Sequence, residues 1–287
     1  WTDTSNRLEL VNNYIHDIGI YPSADAYGIE CRNVDNTLIE GNYIRNVADG
    51  GITSRGNTNN MVIRGNVILR TGTDGIRPDG TNTLIENNVI GDSFHTDGHQ
   101  DGIEIYNSVY GLIVKNNRIF DYTQNIYLSP YESLGPITDV EILGNVVWCD
   151  KYCDPLGRNA DAPGVNAGPN KAAITNLRIE GNTFYNVWTL VTDSYATNLS
   201  YRVTNLIVKN NIFHGGARAR GVEYDVRSTE LTKQNNLYFN TSQNYSTETG
   251  VVWNQDPKLA NPTIFDFHLQ SISPAIDRGI PISGLSI

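Results

Sequence analysis

The sequence is poor in cationic side chains and in long apolar segments. Its 287 residues contain 21 Lys and Arg against 31 Asp and Glu, which gives a formal net charge of -10. A nucleic-acid-binding protein normally presents a basic surface, so nucleic acid is not an expected partner. No run of about 18 apolar residues occurs, and we therefore expect no membrane span.

Sulfur is also scarce, with one Met and three Cys. Cys149 and Cys153 stand four positions apart in a segment rich in Pro, Gly and Asp, where a disulfide would staple a loop. Cys31 falls at an apolar strand position, and we expect it to be a buried small hydrophobic residue rather than a nucleophile.

No signal peptide is visible, but the chain opens on Trp1 in the middle of its repeating pattern, as a processed or trimmed fragment would. The sequons that begin at Asn198, Asn240 and Asn244 fit a secreted protein. We therefore expect a secreted or extracellular protein.

Glycine, asparagine, isoleucine and valine are plentiful instead, and they build a repeat. Each unit is an alternating apolar stretch followed by Gly or Asn, a second Asn, a variable residue and an apolar residue. The second asparagine recurs at intervals of 22 to 37 residues, at Asn13, Asn42, Asn66, Asn88, Asn117, Asn145, Asn182, Asn211 and Asn236. Intervals of this size indicate stacked coils.

Each coil has room for three short strands, as the alternation in Thr37–Gly41, Asn42–Asn46 and Gly51–Arg55 indicates. A helical solenoid is disfavoured because Gly and Asn occur at every bend. The sequence predicts a single all-β domain over residues 1–287, a parallel β-helix (β-solenoid) of about nine to ten coils spaced about 4.8 Å apart. We expect the recurring asparagines to form an internal hydrogen-bonded ladder at one bend.

Two regions depart from the repeat. Residues 149–171, rich in Pro and Gly, are predicted to form an inserted loop that arches from the stack and walls a groove. Residues 239–287 are predicted to form an irregular C-terminal coil and cap.

Coils such as Glu40-Gly-Asn-Tyr-Ile44 and Lys115-Asn-Asn-Arg-Ile119 resemble the right-handed parallel β-helix proteins of the pectate-lyase-like superfamily. The ending Ser273-Pro-Ala-Ile-Asp-Arg-Gly279 is similar to the closing segment of many secreted bacterial β-helix proteins. The resemblance implies a right-handed helix, as parallel crossovers usually have. It specifies chemistry poorly, because the superfamily includes lyases, hydrolases, epimerases, phage depolymerases and non-catalytic surface proteins.

A register for the third strand of successive coils follows from five isoleucines that we expect to stack inward: Ile29, Ile52, Ile76, Ile103 and Ile126. Alternation then turns two columns outward. The first column is Glu30, Thr53, Arg77, Glu104 and Tyr127, and the second is Arg32, Arg55, Asp79, Tyr106 and Ser129.

Arginine and tyrosine in these columns suit sugar carboxylates and pyranose faces. We take Arg55, Asp79, Tyr106 and Tyr127 as candidate substrate-binding residues. The alternative is a solvated sheet face with ion pairs between coils.

The segment from His95 to Glu104 is the leading candidate site, because histidines and carboxylates that can exchange protons near neutral pH are concentrated there. The candidate catalytic residues are His95, Asp97, His99, Asp101, Glu104 and Arg77. A zinc site is less favoured because the histidines lack the helix and glutamate of the zincin pattern. A merely polar loop is the remaining alternative.

The same register predicts a stack of Asp49, Asp74 and Asp101 at one strand edge, where neighbouring carboxylates would repel each other. Capping of Asp-Gly turns would explain such a stack structurally. The functional alternative is a bound Ca²⁺, for which Asp74 and Asp101 are the candidate ligands.

The resemblance implies a carbohydrate substrate, and a polysaccharide lyase that cleaves a uronic-acid-containing glycan by β-elimination is the leading hypothesis. In that reaction a cation or an arginine neutralises the uronate, a base removes a proton, and a donor protonates the leaving oxygen. The candidates are Arg77, Arg55 or a cation on Asp74 and Asp101 as neutraliser, His95 or His99 as base, and Tyr106 or Tyr127 as donor.

No complete motif of a lyase, an alginate epimerase or a polygalacturonase occurs, so other functions stay open. One is a glycoside hydrolase that uses Glu104 with Asp79 or Asp101. Another is a non-catalytic glycan-binding or structural β-helix protein. The chain is expected to act as a monomer or a homotrimer.

Overall fold

The structure is a computed structural model that describes residues 7–20, 25–56, 58–94, 100–130, 135–150, 162–193, 200–215 and 221–285. Regular structure in these residues consists of short β-strands and of two 3-10 turns, Ser228–Glu230 and Pro262–Ile264. No helix in this part of the chain is long and apolar enough to cross a membrane.

The strands form three long parallel sheets, which we call sheets A, B and C. Sheet A contains Leu8–Val11, Thr37–Glu40, Val62–Arg64, Leu84–Glu86, Val109–Lys115, Ile137–Leu143, Ile174–Glu180, Leu206–Lys209 and Leu231–Gln234, with Gly80–Thr81 and Val203–Thr204 paired to it. Sheet B contains Tyr14–Ile18, Tyr43–Val47, Val67–Thr71, Val89–Gly91, Arg118–Phe120, Val146–Trp148, Thr183–Tyr185, Ile212–His214, Leu237–Phe239 and Val252–Trp253. Sheet C contains Ile29–Arg32, Ile52–Arg55, Ile76–Arg77, Asp101–Ile105, Gln124–Leu128, Pro163–Ala167, Trp188–Thr192 and Val222–Asp225.

The chain visits sheets A, B and C in turn and pairs each strand with its counterpart in the next coil. This arrangement confirms the predicted all-β parallel β-helix. The core is a set of ladders of inward Ile, Leu and Val, for example Ile39, Ile44 and Ile52, all of which are buried. Cys31 belongs to the same core and is a free cysteine, as the sequence predicts.

The strands stay short because a residue with positive φ precedes each marker asparagine. These residues, with φ between 54° and 68°, are Gly or Asn at every coil: Asn12, Gly41, Gly65, Asn87, Asn116, Gly144, Gly181, Asn210 and Asn235. Glycine has no steric cost in the left-handed region and asparagine tolerates it better than other residues. The repeated Gly/Asn-Asn pair is therefore the bend between sheets A and B.

The marker asparagines form the predicted ladder. Each backbone N–H donates to Oδ1 of the asparagine one coil further on, at 2.8 to 2.9 Å. Each Nδ2 donates to the same oxygen at 2.8 to 3.0 Å. Burial of these amides is tolerated because nearly every polar atom has a partner.

Glu248 ends this ladder, a role that the repeat did not predict. Its Oε1 accepts hydrogen bonds from the backbone and side chain of Asn236, at 3.1 and 2.7 Å, and its Oε2 accepts one from Tyr238 Oη at 2.8 Å. Burial raises the pKa of the Glu248 carboxyl. A carboxylate thus replaces the tenth asparagine and closes the stack.

The segment that follows Val252–Trp253, the last strand of sheet B, folds back over the outside of the stack. The antiparallel strands Leu259–Asn261 and Asp266–Leu269 place Phe265 and Phe267 on Trp148, with ring centroids 5.4 and 5.2 Å apart. Arg118 donates to the Phe265 carbonyl at 2.8 Å.

Of the predicted inserted loop, Cys149 is disulfide-bonded, whereas Cys153 lies outside the described residues.

Candidate functional site

The pairing of sheet C confirms the predicted register of Ile29, Ile52, Ile76, Ile103 and Ile126. The first outward column follows from it, because Glu30 pairs with Thr53, Thr53 with Arg77, and Glu104 with Tyr127. Arg77 and Glu104 are therefore neighbours on adjacent coils.

Three carboxylates meet at this point, and we call Asp74, Asp101 and Glu104 the carboxylate cluster. One oxygen from each residue lies within 4.8 Å of the other two. The residues are 9%, 0% and 8% exposed. Ionised groups of the same sign repel strongly at such distances in a buried place, so the cluster needs protons or positive charge to be stable.

Part of the positive charge comes from Arg77, whose Nε lies 3.2 Å from Glu104 Oε2. The guanidinium carbon of Arg77 also lies 5.1 Å from the centroid of the Tyr106 ring, a cation–π distance. Arg77 is thus held between a ring and a carboxylate while about a quarter of its side chain, 27%, stays exposed.

Burial raises the pKa of the Asp74 carboxyl well above its usual range, and the neighbouring Glu104 and Asp101 raise it further. Burial and then Glu104 raise the pKa of Asp101 in the same direction. Arg77 opposes both shifts. Asp74 and Asp101 therefore hold protons more tightly than ordinary carboxyl groups do, unless another cation is present.

Asp49 is not part of this stack, and the predicted alignment of Asp49 with Asp74 and Asp101 is wrong. Ile52 pairs with Ile76, which makes Gly50 the counterpart of Asp74. The second glycine, Gly51, displaces Asp49 by one residue, and Asp49 instead accepts from Thr73 Oγ1 at 2.7 Å.

Tyr122 lies behind the cluster in the core. It is fully buried and its hydroxyl lies 2.8 Å from Thr71 Oγ1. A Cβ at Gly75 would come within 3.0 Å of the Tyr122 hydroxyl, and one at Gly102 within 3.3 Å of the ring. The glycines after Asp74 and Asp101 therefore leave room for the next coil's backbone and for the Tyr122 ring.

A second arginine stands on the same sheet one coil before Arg77. Arg55 has its guanidinium carbon 5.1 Å from the Tyr27 ring centroid and donates a hydrogen bond to the Tyr27 hydroxyl. Its Nε lies 3.4 Å from Glu30 Oε1. Arg55, Tyr27 and Glu30 combine the same residue types as Arg77, Tyr106 and Glu104, but Arg55 contacts the preceding coil whereas Arg77 contacts the following one.

Asp79 is held by hydrogen bonds from the coils on either side of it. Its Oδ2 accepts from the backbone of Gly56 at 3.0 Å and from Asn107 Nδ2 at 3.2 Å, and only 8% of the residue is exposed. Burial raises its pKa although these hydrogen bonds oppose the shift. Its contacts are those of a residue that organises the turn between sheets C and A.

On the other side of the cluster, Tyr127 lies level with Glu104, and Asn166 with Tyr127. Asn166 Nδ2 donates to Gln124 Oε1 at 2.5 Å. Gln124 and Asn166 did not figure among the predicted site residues, although alternation around Ile126 and Val165 was a signal that could have found them. The predicted residues His95, Asp97 and His99 lie outside the described residues.

The fold and this sheet face define a class, a parallel β-helix with a buried carboxylate cluster next to two ring-backed arginines on the preceding coils. The family model for a right-handed β-helix region matches residues 1–147, and the chain belongs to this family of right-handed β-helix proteins. No curated protein gives a match to the sequence.

Solved structures share the fold at low sequence identity. Pectate lyase Pel9A superposes with a TM-score of 0.68 at 14% identity, over 91% of this chain and 70% of the lyase chain. A tailspike protein of E. coli bacteriophage HK620 gives 0.53 at 10%, over 78% and 42% of the two chains. The catalytic unit of an alpha-1,3-glucanase from Streptomyces thermodiastaticus gives 0.50 at 12%, over 82% and 50%. This chain thus spans half or less of the last two.

Proposed function

We propose that this protein is an extracellular carbohydrate-active enzyme, a polysaccharide lyase that cleaves a uronic-acid-containing glycan by β-elimination at the carboxylate cluster. The observation that supports the proposal is the meeting of Asp74, Asp101 and Glu104 within 4.8 Å, next to Arg77 on an outward sheet face. Proteins that act on polysaccharides, the lyase and the glucanase named above, share the fold.

The cluster fits a calcium ion. Three carboxylates offer only oxygen atoms, the ligands that hard cations prefer, and their mutual repulsion is relieved by a divalent charge. A Ca²⁺ ion held by Asp74, Asp101 and Glu104 would supply the positive charge that neutralises the carboxylate of a bound uronate.

The side chains around the cluster have separate roles in the elimination. Arg77, with part of its guanidinium exposed, is placed to donate hydrogen bonds to the uronate carboxylate. Neutralising that carboxylate makes the adjacent C5 proton more acidic. A base takes this proton, the C4–C5 double bond forms, and the C4–O4 bond breaks with its electron pair moving to oxygen.

The proton donor and the base are assigned from position. Tyr106, in contact with Arg77, and Tyr127, level with Glu104, can protonate the departing oxygen. The base is proposed to be His95 or His99, since an imidazole is half-deprotonated near neutral pH. His95 and His99 stand six and two residues before Asp101 in the sequence.

Glycoside hydrolysis is the second candidate, and the carboxylate spacing favours it. A protonated carboxyl beside an ionised one is the acid and base, or acid and nucleophile, of a glycosidase. Asp101 and Glu104 are near enough to act together on one glycosidic bond. This reaction requires no uronate and no added cation.

A panel of polysaccharides, assayed with and without chelator, separates these functions. A lyase yields unsaturated ends that absorb in the ultraviolet and loses activity with chelator. A hydrolase yields reducing ends without that absorbance. Binding without either product would overturn both proposals in favour of a non-catalytic glycan-binding protein.

A further inference from the structure

Charge is divided sharply along the first seven strands of sheet C, and the carboxylate cluster lies at the boundary. The four strands up to and including the cluster carry all of the following charged residues: Glu30, Arg32, Arg55, Arg77, Asp101 and Glu104. The next three strands, Gln124–Leu128, Pro163–Ala167 and Trp188–Thr192, contain no charged residue. The eighth strand, Val222–Asp225, carries Glu223 and Asp225 and lies beyond them. We call the first four strands the charged half and the next three strands the uncharged half.

In the charged half, Arg55 is fixed and still accessible. The Tyr27 ring and Glu30 hold the guanidinium from two sides, yet 38% of the side chain is exposed. A guanidinium fixed in this way loses little freedom when it binds a carboxylate or a sulfate. Arg77 stands on the next coil, level with Thr53 and two positions before Arg55 in the register, so two such groups lie diagonally across adjacent coils before Glu104.

In the uncharged half, the outward groups are an amide pair and a phenol. Tyr127 alternates with the buried Ile126 and Leu128, and the Asn166 amide is tied to Gln124. Asn166 is nine-tenths buried, and its Oδ1 has no hydrogen-bond partner among the described residues. A sugar hydroxyl can donate to such an oxygen, whereas a sugar carboxylate would lose water there without gaining a cation.

We propose that the substrate is a heteropolysaccharide whose acidic sugars bind the charged half and whose neutral sugars bind the uncharged half. The inference rests on the proposed function in one respect, that the carboxylate cluster is the reacting centre between the two halves. Coils are about 4.8 Å apart, so Tyr127 and Asn166, one and two coils beyond Glu104, are within reach of the sugars next to the cleaved bond.

The test measures binding by calorimetry to the Glu104→Gln protein, so that turnover does not interfere. The probes are tetragalacturonate, cellotetraose, and two hybrid tetrasaccharides in which two glucuronates precede or follow two glucoses. One hybrid is expected to bind at least about tenfold more tightly than either homo-oligomer. Equal or tighter binding of tetragalacturonate, or no binding of any probe, overturns the inference.

Two further variants, made in the Glu104→Gln protein, test which half of sheet C binds the acidic sugars and which binds the neutral sugars. Adding Arg55→Gln is expected to weaken binding of the better hybrid about tenfold, and adding Asn166→Asp to weaken it by a similar factor, by placing a negative charge in the uncharged half. The matched controls Arg64→Gln, on sheet A, and Asn254→Asp, at an exposed turn, should leave it unchanged. Unchanged binding in Asn166→Asp contradicts the inference. Cleavage by the wild-type protein and its loss in Glu104→Gln test the proposed function separately.

Discussion

Arg77 Nε and Glu104 Oε2 lie 3.2 Å apart on adjacent coils of the β-helix, and the Glu104 side chain is only 10% exposed. The pair places the Arg77 guanidinium against a group of carboxylates that would otherwise repel each other. In the account given above, the same arginine also meets the uronate carboxylate of the substrate. The first prediction follows from this double role.

Replacing Arg77 with Gln should lower kcat/KM on a cleaved polysaccharide about 10- to 100-fold, since hydrogen bonds to charged groups contribute about 1.5–3 kcal/mol. The matched control is Arg64→Gln, which removes an arginine paired with Glu40 at 2.9 Å on sheet A. An equal loss of activity in both variants would mean that Arg77 acts through the fold alone.

The cluster should behave as a cation site. Calcium at about 100 times its Kd should stabilise the wild-type protein by about 2.7 kcal/mol, seen as a higher Tm than in chelator. Asp101→Asn should abolish this rise. In chelator the same variant should be more stable than wild type, because one of three crowded acids becomes neutral.

Asp35→Asn provides the control for that experiment. Asp35 lies between sheets C and A, at the opposite end of the sheet C strand from the cluster, and accepts hydrogen bonds from Asn59 on the next coil. An asparagine at position 35 keeps an accepting oxygen. A calcium-dependent rise in Tm that survives Asp101→Asn would place the ion elsewhere.

Stability in chelator should fall as the pH rises from about 4 to about 8. The pKa values of Asp74 and Asp101 are raised in the folded protein and ordinary in the unfolded chain, so the folded state binds more protons. Stability from a raised pKa is fully present below the unfolded pKa and is lost as the pH rises through the folded pKa.

Thermal unfolding across this range, for wild type and for Asp74→Asn, measures the effect. The variant should show a flatter pH profile because one of the two shifted groups no longer titrates. Identical slopes for the two proteins would show that the pH dependence arises outside the cluster.

The asparagine ladder should contribute strongly to stability in the middle of the stack and weakly at its first rung. Asn117 Oδ1 accepts from Asn88 twice and its Nδ2 donates to Ile85 and Asn145, all buried. Asn117→Ala should reduce the free energy of unfolding by about 3 kcal/mol or more. Asn13→Ala, at an exposed rung, should cost about 1 kcal/mol or less. Urea titrations give both values, and equal losses would refute the ladder as the cause.

The fold was predictable from sequence because its determinants are local and repeated. A residue that tolerates positive φ, a buried amide and a period-two apolar pattern recur at each coil, so Ile76 and Ile103 could be aligned without a structure. The neighbouring Arg77 and Glu104 followed from the same alignment. The sequence prediction misplaced Asp49 because the extra glycine, Gly51, shifts it by one residue relative to Asp74 and Asp101. Since a glycine follows the aspartate in all three coils, the Asp-Gly motif conceals that shift.

Features that depend on a single contact could not be read from the repeat. Glu248 completes the asparagine ladder from a segment outside the pattern. Tyr122, in the turn between sheets B and C of a later coil, contacts Thr71 behind the cluster. The aromatic packing of Phe267 on Trp148 likewise joins residues far apart in sequence. Such contacts depend on where loops return to the stack, which alternation does not encode.

The measurement that tests the central claim most directly compares wild type with Glu104→Gln on a polysaccharide that contains uronic acid, following ultraviolet absorbance in calcium and in chelator. The account predicts an absorbing product from wild type in calcium, none in chelator, and a loss of at least about 100-fold in Glu104→Gln. Equal product from the two proteins, or product that persists in chelator, would contradict it.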